Sequence, residues 1–265
     1  MKILAMTCNC VDVFCETGKI LPGGNALNLA VNCKKAGAQD VYLIGNIGND
    51  KYGDIIKQAI DKYKIDRSRV YEVSGQTANH VIHIDEKGDR YFKENAWVSG
   101  VWADYRISME DKKFMQSTDI IATTLYEPIF EDIISIKRES GFLLSVDFHD
   151  EKINPDWEKY FDAIDLFFIS SAEKPLEKLE EWSKRFNTIF TATLGARGSI
   201  TFKNGIKHVC EAVKVNKVID TTGCGDSYQG AFIVEYMRSK NIKKAMQKAS
   251  ESAAQTLSYT GGFEI

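Results

Sequence analysis

Six strand-like runs, at residues 2–8, 41–45, 119–125, 142–148, 165–170 and 188–193, alternate with helical patterns near 25–36, 51–62, 128–139, 173–185, 226–239 and 243–259. A parallel strand can be reached only by a long crossover, usually a helix, so this rhythm means parallel pairing. The expected fold is α/β with three αβα layers: a mostly parallel central sheet flanked by helices on both faces. Ligand-binding loops in such sheets gather at the carboxyl ends of the strands. Residues 77–84 and 89–94 break the rhythm, and Asp85-Glu86-Lys87-Gly88 joins them like a hairpin turn. With a strand around 12–15 they would form a small β-sheet lid, built from segments near 10–16 and 75–105 of a single domain spanning 1–265. A lid sheet has an open edge that pairs readily with a second subunit, so a homodimer through the lid is expected.

Three glycine-rich segments point to chemistry. In Asp220-Thr221-Thr222-Gly223-Cys224-Gly225-Asp226, two glycines flank a small residue, an aspartate follows, and a helical pattern begins. Glycines let backbone N–H groups converge, and the helix start adds its positive dipole end, which together make a site for phosphate. A carboxylate opposes pure anion binding. It fits if Asp226 takes a proton from a hydroxyl while Gly223, Cys224 and Gly225 steady a phosphoryl group in transfer. The plainer reading of Asp226 is a helix cap, where aspartate is common. The second segment, Pro22-Gly23-Gly24-Asn25-Ala26-Leu27-Asn28, sets two asparagines three residues apart on one helical face, where both reach a polyhydroxylated ligand. In the third, Thr193-Leu194-Gly195-Ala196-Arg197-Gly198-Ser199 follows a β-like run and reads as a loop along a nucleotide.

Other classes fit poorly. A dinucleotide fold needs G-x-G-x-x-G after an early strand, but after Gly223 and Gly225 the next glycine is Gly230. The one Gly-Lys pair, Gly18-Lys19, lacks the earlier glycine of a P-loop, and no G-x-S-x-G occurs. A net charge of −3 argues against nucleic acid as a partner. No 18-residue apolar run is present and the stretch before Cys8 is too short for a signal peptide, so no membrane partner and a cytoplasmic location are expected. Six cysteines without a C-x-x-C pair suit free thiols in a reducing compartment, and no metal-ligand set is expected. His80 and His83, three apart in a strand, face opposite ways and read as structural.

With the three segments in this order, the chain resembles the PfkB (ribokinase-like) carbohydrate kinases over nearly its whole length. Gly23-Gly24 through Asn28 carries the early motif, with Gly37 and Gly48 after it, and Asp220 through Ile233 carries the late one. Within that family the likeness is strongest to fructoselysine 6-kinases, through residues 9–13, Gly24-Asn25-Ala26, Gly88-Asp89-Arg90, Gly100-Val101 and Ala103-Asp104. The resemblance implies an ATP-dependent sugar kinase with Asp226 as general base and Asp12, Gly24, Asn25 and Asn28 on the sugar. Thr193, Gly195, Gly198, Ser170 and Glu173 would serve ATP, with Glu173 acting on Mg²⁺ through water. Many relatives require K⁺; the sequence does not decide it. Another sugar, a nucleoside, or a non-catalytic sugar sensor are the alternatives. Three departures stand out: Cys224 replaces the usual alanine, Ser170 replaces the usual asparagine of Asn-x-x-Glu, and Gly48 falls one residue late. Tyr91, Phe92, Glu94, Trp97 and Trp102 of the lid region would meet an apolar or cationic extension of the substrate, a ring attracting an ammonium group. Ordinary lid packing accounts for the same aromatics.

Overall fold

The computed structural model describes residues 1–84, 90–91, 93–170 and 176–265. In chain order the first half runs β1 (Lys2–Ala5), β2 (Cys10–Phe14), β3 (Lys19–Gly23), α1 (Asn25–Lys35), β4 (Asp40–Gly48), α2 (Lys51–Lys62), β5 (Asp66–Val73), β6 (Ala78–Ile84), β7 (Arg90–Tyr91) and β8 (Trp97–Val98). It continues with α3 (Met109–Gln116), β9 (Ile120–Thr124), α4 (Phe130–Arg138), β10 (Leu143–Asp147), β11 (Leu166–Ser170), α5 (Glu177–Arg185), β12 (Ile189–Thr193), β13 (Ser199–Lys203), β14 (Ile206–Cys210), α6 (Cys224–Ser239) and α7 (Ile242–Thr256).

Among the described residues a nine-stranded sheet has the order β14-β13-β12-β11-β10-β9-β1-β4-β5. Every pairing from β5 to β12 is parallel; only β12–β13 and β13–β14 are antiparallel. The alternation of β1 shows how the layers form. Ile3 and Ala5 face a core shared with Leu27, Ile56, Phe232 and Met246 of α1, α2, α6 and α7. Leu4 and Met6 face the opposite core, with Met115, Ile133 and Trp182 of α3, α4 and α5. A strand buried on both faces needs apolar residues at consecutive positions, as Ile3 to Met6 provide.

β1 lies between β4 and β9, so the chain winds first to one side of it and then to the other. That reversal opens a crevice at the carboxyl ends of the central strands. Over it sits the second sheet, β3-β2-β6-β7, with β8 also on β6. This small lid is mixed rather than purely antiparallel, because β2 and β6 run parallel. The hairpin turn expected at Asp85–Gly88 lies outside the described residues. No helix among the described residues is long and apolar enough to cross a membrane.

Candidate active site

Asp226 stands in the first turn of α6 and is buried. Gly223, before it, adopts a left-handed φ of 71° and starts the helix. A Cβ there would also fall 2.5 Å from the Gly262 Cα, so glycine is required twice over, by angle and by contact. Gly225 is glycine for a different reason. Its φ is ordinary and a Cβ would meet nothing within 4 Å, so neither backbone angle nor packing demands glycine; a side chain would simply enter the cavity that Gly225 lines. The first N–H groups of α6 have no partners within the helix and carry its positive dipole end.

Two amides from α1 reach Asp226. Asn25 Nδ2 donates to Asp226 Oδ1 at 2.9 Å, and Asn28 Nδ2 donates to Oδ2 at 2.9 Å. Gly24 enables this approach: its φ is 85°, and a Cβ would lie 2.6 Å from the Cys8 carbonyl oxygen. Burial pushes the Asp226 carboxyl up to about 6, against the pull of the Asn28 and Asn25 hydrogen bonds; Asp147 adds to the rise and His149 opposes it. A base held near neutrality suits proton abstraction.

Asp226, Asn25 and Gly223–Gly225 line one side of a cavity of about 1080 Å³, with Ser170, Thr193, Gly195 and Gly198 on its other walls. The carboxyl ends of β10, β11 and β12 thus face the start of α6. Gly195 and Gly198 have φ of 59° and 87°; a Cβ on Gly198 would fall 2.0 Å from the Cys210 carbonyl oxygen, so this tight loop also needs its glycine. Val213, Val215, Val218 and Leu257 give the cavity an apolar end.

Not every expected residue reaches this space. Asn28 contacts it only through Asp226, while Gly24 and Asp12 lie outside its wall. Asp12 is buried in β2, its carboxylate packed against Gly23 where a Cβ would come within 2.5 Å. Glu173 and Phe92 lie outside the described residues. Trp102 is not a lid-surface ring. It is buried, stacks on Tyr105, covers Gly45 and donates Nε1–H to Glu127 at 2.9 Å. Tyr91 and Trp97 are exposed on the lid, paired with His83 and His80 respectively.

Other groups at the site were not foreseen. Asp147, His149 and Asp150 line the cavity after β10. The His149 N–H donates to Asp147 Oδ1 at 2.9 Å, its φ is 52°, and its ring stacks on Tyr126. A run Asp147-Phe148-His149-Asp150 at the carboxyl end of an expected strand was the available signal. The C-terminal tail is the other addition. Gly261 N–H donates to Asp220 Oδ2 at 2.9 Å, Gly262 packs on Gly223, and a Cβ on Gly262 would strike the Asn28 amide at 2.2 Å.

A buried carboxylate facing a glycine-framed helix start, in a crevice with an apolar end, suits phosphoryl transfer from a nucleotide to a hydroxyl. The comparisons agree with that chemistry. Residues 9–264 match the pfkB family carbohydrate kinases. The chain is 30% identical to the fructoselysine 6-kinase of Escherichia coli strain K12, covering 99% of this chain and 100% of that one. It is 25% identical to the fructosamine kinase FrlD of Bacillus subtilis strain 168, covering 99% and 93%. The structure of Arabidopsis thaliana ribokinase complexed with ribose and ATP superposes with a TM-score of 0.86 at 19% identity, over 98% of this chain and 93% of that one.

Proposed function

This chain belongs to the pfkB family of carbohydrate kinases, and from that premise we propose that it transfers the γ-phosphoryl group of ATP to the 6-hydroxyl of a fructosamine such as fructoselysine. The observation that carries the reading is Asp226, buried between the α1 amides and the glycine-framed start of α6 at the mouth of the nucleotide-sized cavity. In the reaction Asp226 accepts the proton of the sugar hydroxyl. The resulting alkoxide attacks the γ-phosphorus, the bond to the β-phosphate oxygen breaks, and ADP leaves with that electron pair. N–H groups of Gly223, Cys224 and Gly225 stabilise the charge on the phosphoryl oxygens in flight.

ATP lies with its base at the apolar end formed by Val213, Val215 and Leu257 and its phosphates along Thr193, Gly195 and Gly198. Among the described residues no group of three or more His, Cys, Asp or Glu forms a metal cage. Mg²⁺ at a phosphoryl-transfer site keeps several waters and is held by substrate phosphates plus one or two carboxylates. Asp147 and Asp150 of the cavity wall, with Ser170 and Glu173, are the groups that would face those waters. The ion would neutralise charge between the β- and γ-phosphates.

The sugar lies under the lid against Asp12, Gly24, Asn25 and Asn28. Its amino-acid tail meets Tyr91, Trp97 and Glu94, whose rings and carboxylate suit a cation. The 30% identity to a fructoselysine 6-kinase and the 25% identity to a fructosamine kinase support this substrate over ribose or a nucleoside. Phosphorus-to-proton NMR of the product from fructoselysine and ATP tests the position: coupling to the C6 protons is expected. A product phosphorylated elsewhere, or no product, would overturn the assignment.

A further inference from the structure

We propose that Asn25 and Asn28 are positioning residues that clamp the catalytic base, holding one carboxylate oxygen of Asp226 each, in addition to any contact they make with the sugar. The inference rests on Asp226 being the base. The two amides come from successive positions of one helical face and each places Nδ2 2.9 Å from a different Asp226 oxygen. A carboxylate held at both oxygens cannot rotate about its last bond. It still has lone pairs to spare, because an ionised carboxylate offers about four acceptor sites and the amides take two.

The clamp is itself anchored. Asn32 Nδ2 donates to the Asn28 backbone carbonyl at 2.8 Å and toward the Gly262 carbonyl at 3.4 Å, so one turn later α1 is tied to the C-terminal tail. Gly262 presses on the Asn28 amide and on Gly223 together, fixing clamp and anion site against the same backbone. Asn28 Oδ1 is buried and without a partner among the described residues. An unpaired buried acceptor is costly, so a hydroxyl of the bound sugar is the natural donor to it. The Asn28 amide then serves two groups: N–H to the base, C=O to the substrate.

The electrostatic consequence is specific. Burial drives Asp226 toward its neutral form, while the Asn28 and Asn25 donors favour the ionised, active form; of the charged neighbours, Asp147 works with burial and His149 against it. Removing one donor removes one hydrogen bond to the charged state and leaves the desolvation in place.

The experiment compares wild type, Asn25→Ala and Asn28→Ala by the pH dependence of kcat/KM and by NMR titration of ¹³Cγ-labelled aspartate, with the Asp226 signal assigned by its loss in Asp226→Asn. Each variant should move the acid limb of kcat/KM, and the Asp226 titration, upward by about one pH unit, the size of one charged hydrogen bond. Plateau kcat above that limb should fall far less than in Asp226→Asn. Asn25 is half-buried on the cavity wall, so Asn25→Ala alone decides the matter if Asn28→Ala does not fold. An unmoved titration with only the sugar KM raised would overturn the clamp and leave the amides as sugar ligands. A moved titration beside an Asp226→Asn enzyme of near-full kcat would instead uphold the clamp and remove Asp226 as the base.

Discussion

As the proposed base, Asp226 has to be desolvated enough to hold a proton near neutral pH, yet ionised enough to take one. Burial lifts its carboxyl to about 6, and the active species is the carboxylate, so activity should be gained as pH rises through that value. We expect kcat/KM to climb tenfold per pH unit below about 6 and to level above it; a profile flat from pH 5 to 8 would exclude Asp226 as the titrating group. Asp226→Asn should lower kcat by roughly 10²–10⁴-fold while sugar binding persists, and should erase the limb. Cys224 makes a different prediction. Its thiol lies beside the Ala253 carbonyl, at 3.7 Å, and the site uses its backbone, so Cys224→Ala should leave kcat and both KM values within about twofold. Asp226, Asn25 and Asn28 could each be picked out from spacing and chemistry. Their mutual contact could not, because α1 and α6 are separated by 201 and 198 residues at the two bonds and only the packed fold joins them.

At the scale of elements, the glycines that frame the site divide by what surrounds them. A methyl group at Gly262 would enter the Asn28 amide, 2.2 Å from its Oδ1. Gly262→Ala should therefore cost about 1–3 kcal/mol, the usual range for overpacking, and lower kcat with it. A methyl at Gly225 meets open space, so Gly225→Ala should melt like wild type and raise the KM for ATP, because it intrudes only on the cavity. Thermal melts of the two variants separate these outcomes; equal melting points would refute the packing argument. The same contrast explains which elements were legible. The helix expected at 51–62 is α2 to the residue, since its apolar stripe, Ile56 and Ile60 among it, is buried against one core. β5 was missed because its first residues, Asp66-Arg67-Ser68, are polar and exposed at the sheet edge, where burial imposes no pattern. β13 and β14 were missed despite a direct signal: Asn204 and Gly205, at φ of 52° and 75°, form the two-residue turn that such a pair favours.

Across the whole molecule, the central sheet supplies the cavity and the second sheet the lid, with α1 leaving the lid strand β3 to reach Asp226. The parallel core was legible because strands buried on both faces leave continuous apolar runs. The lid was only partly so: β3, beginning Lys19-Ile20-Leu21, was not foreseen, since it becomes a strand by pairing with β2. Trp102 was misplaced for a related reason, since its ring belongs to the core through Gly45 and Tyr105 although its neighbours in sequence belong to the lid. This arrangement exposes Tyr91 and Trp97 at the lid surface, where the proposed function has them meet a group extending from the sugar. Binding energy from such a remote group can be expressed in the chemical step, whereas plain fructose offers none. The most direct measurement is kcat/KM for fructoselysine and for fructose, by ADP release on one preparation. We predict a preference for fructoselysine of about five- to thirtyfold, the worth of one cation–π contact at roughly 1–2 kcal/mol; equal values, or a preference for ribose or a nucleoside, would contradict the proposed substrate.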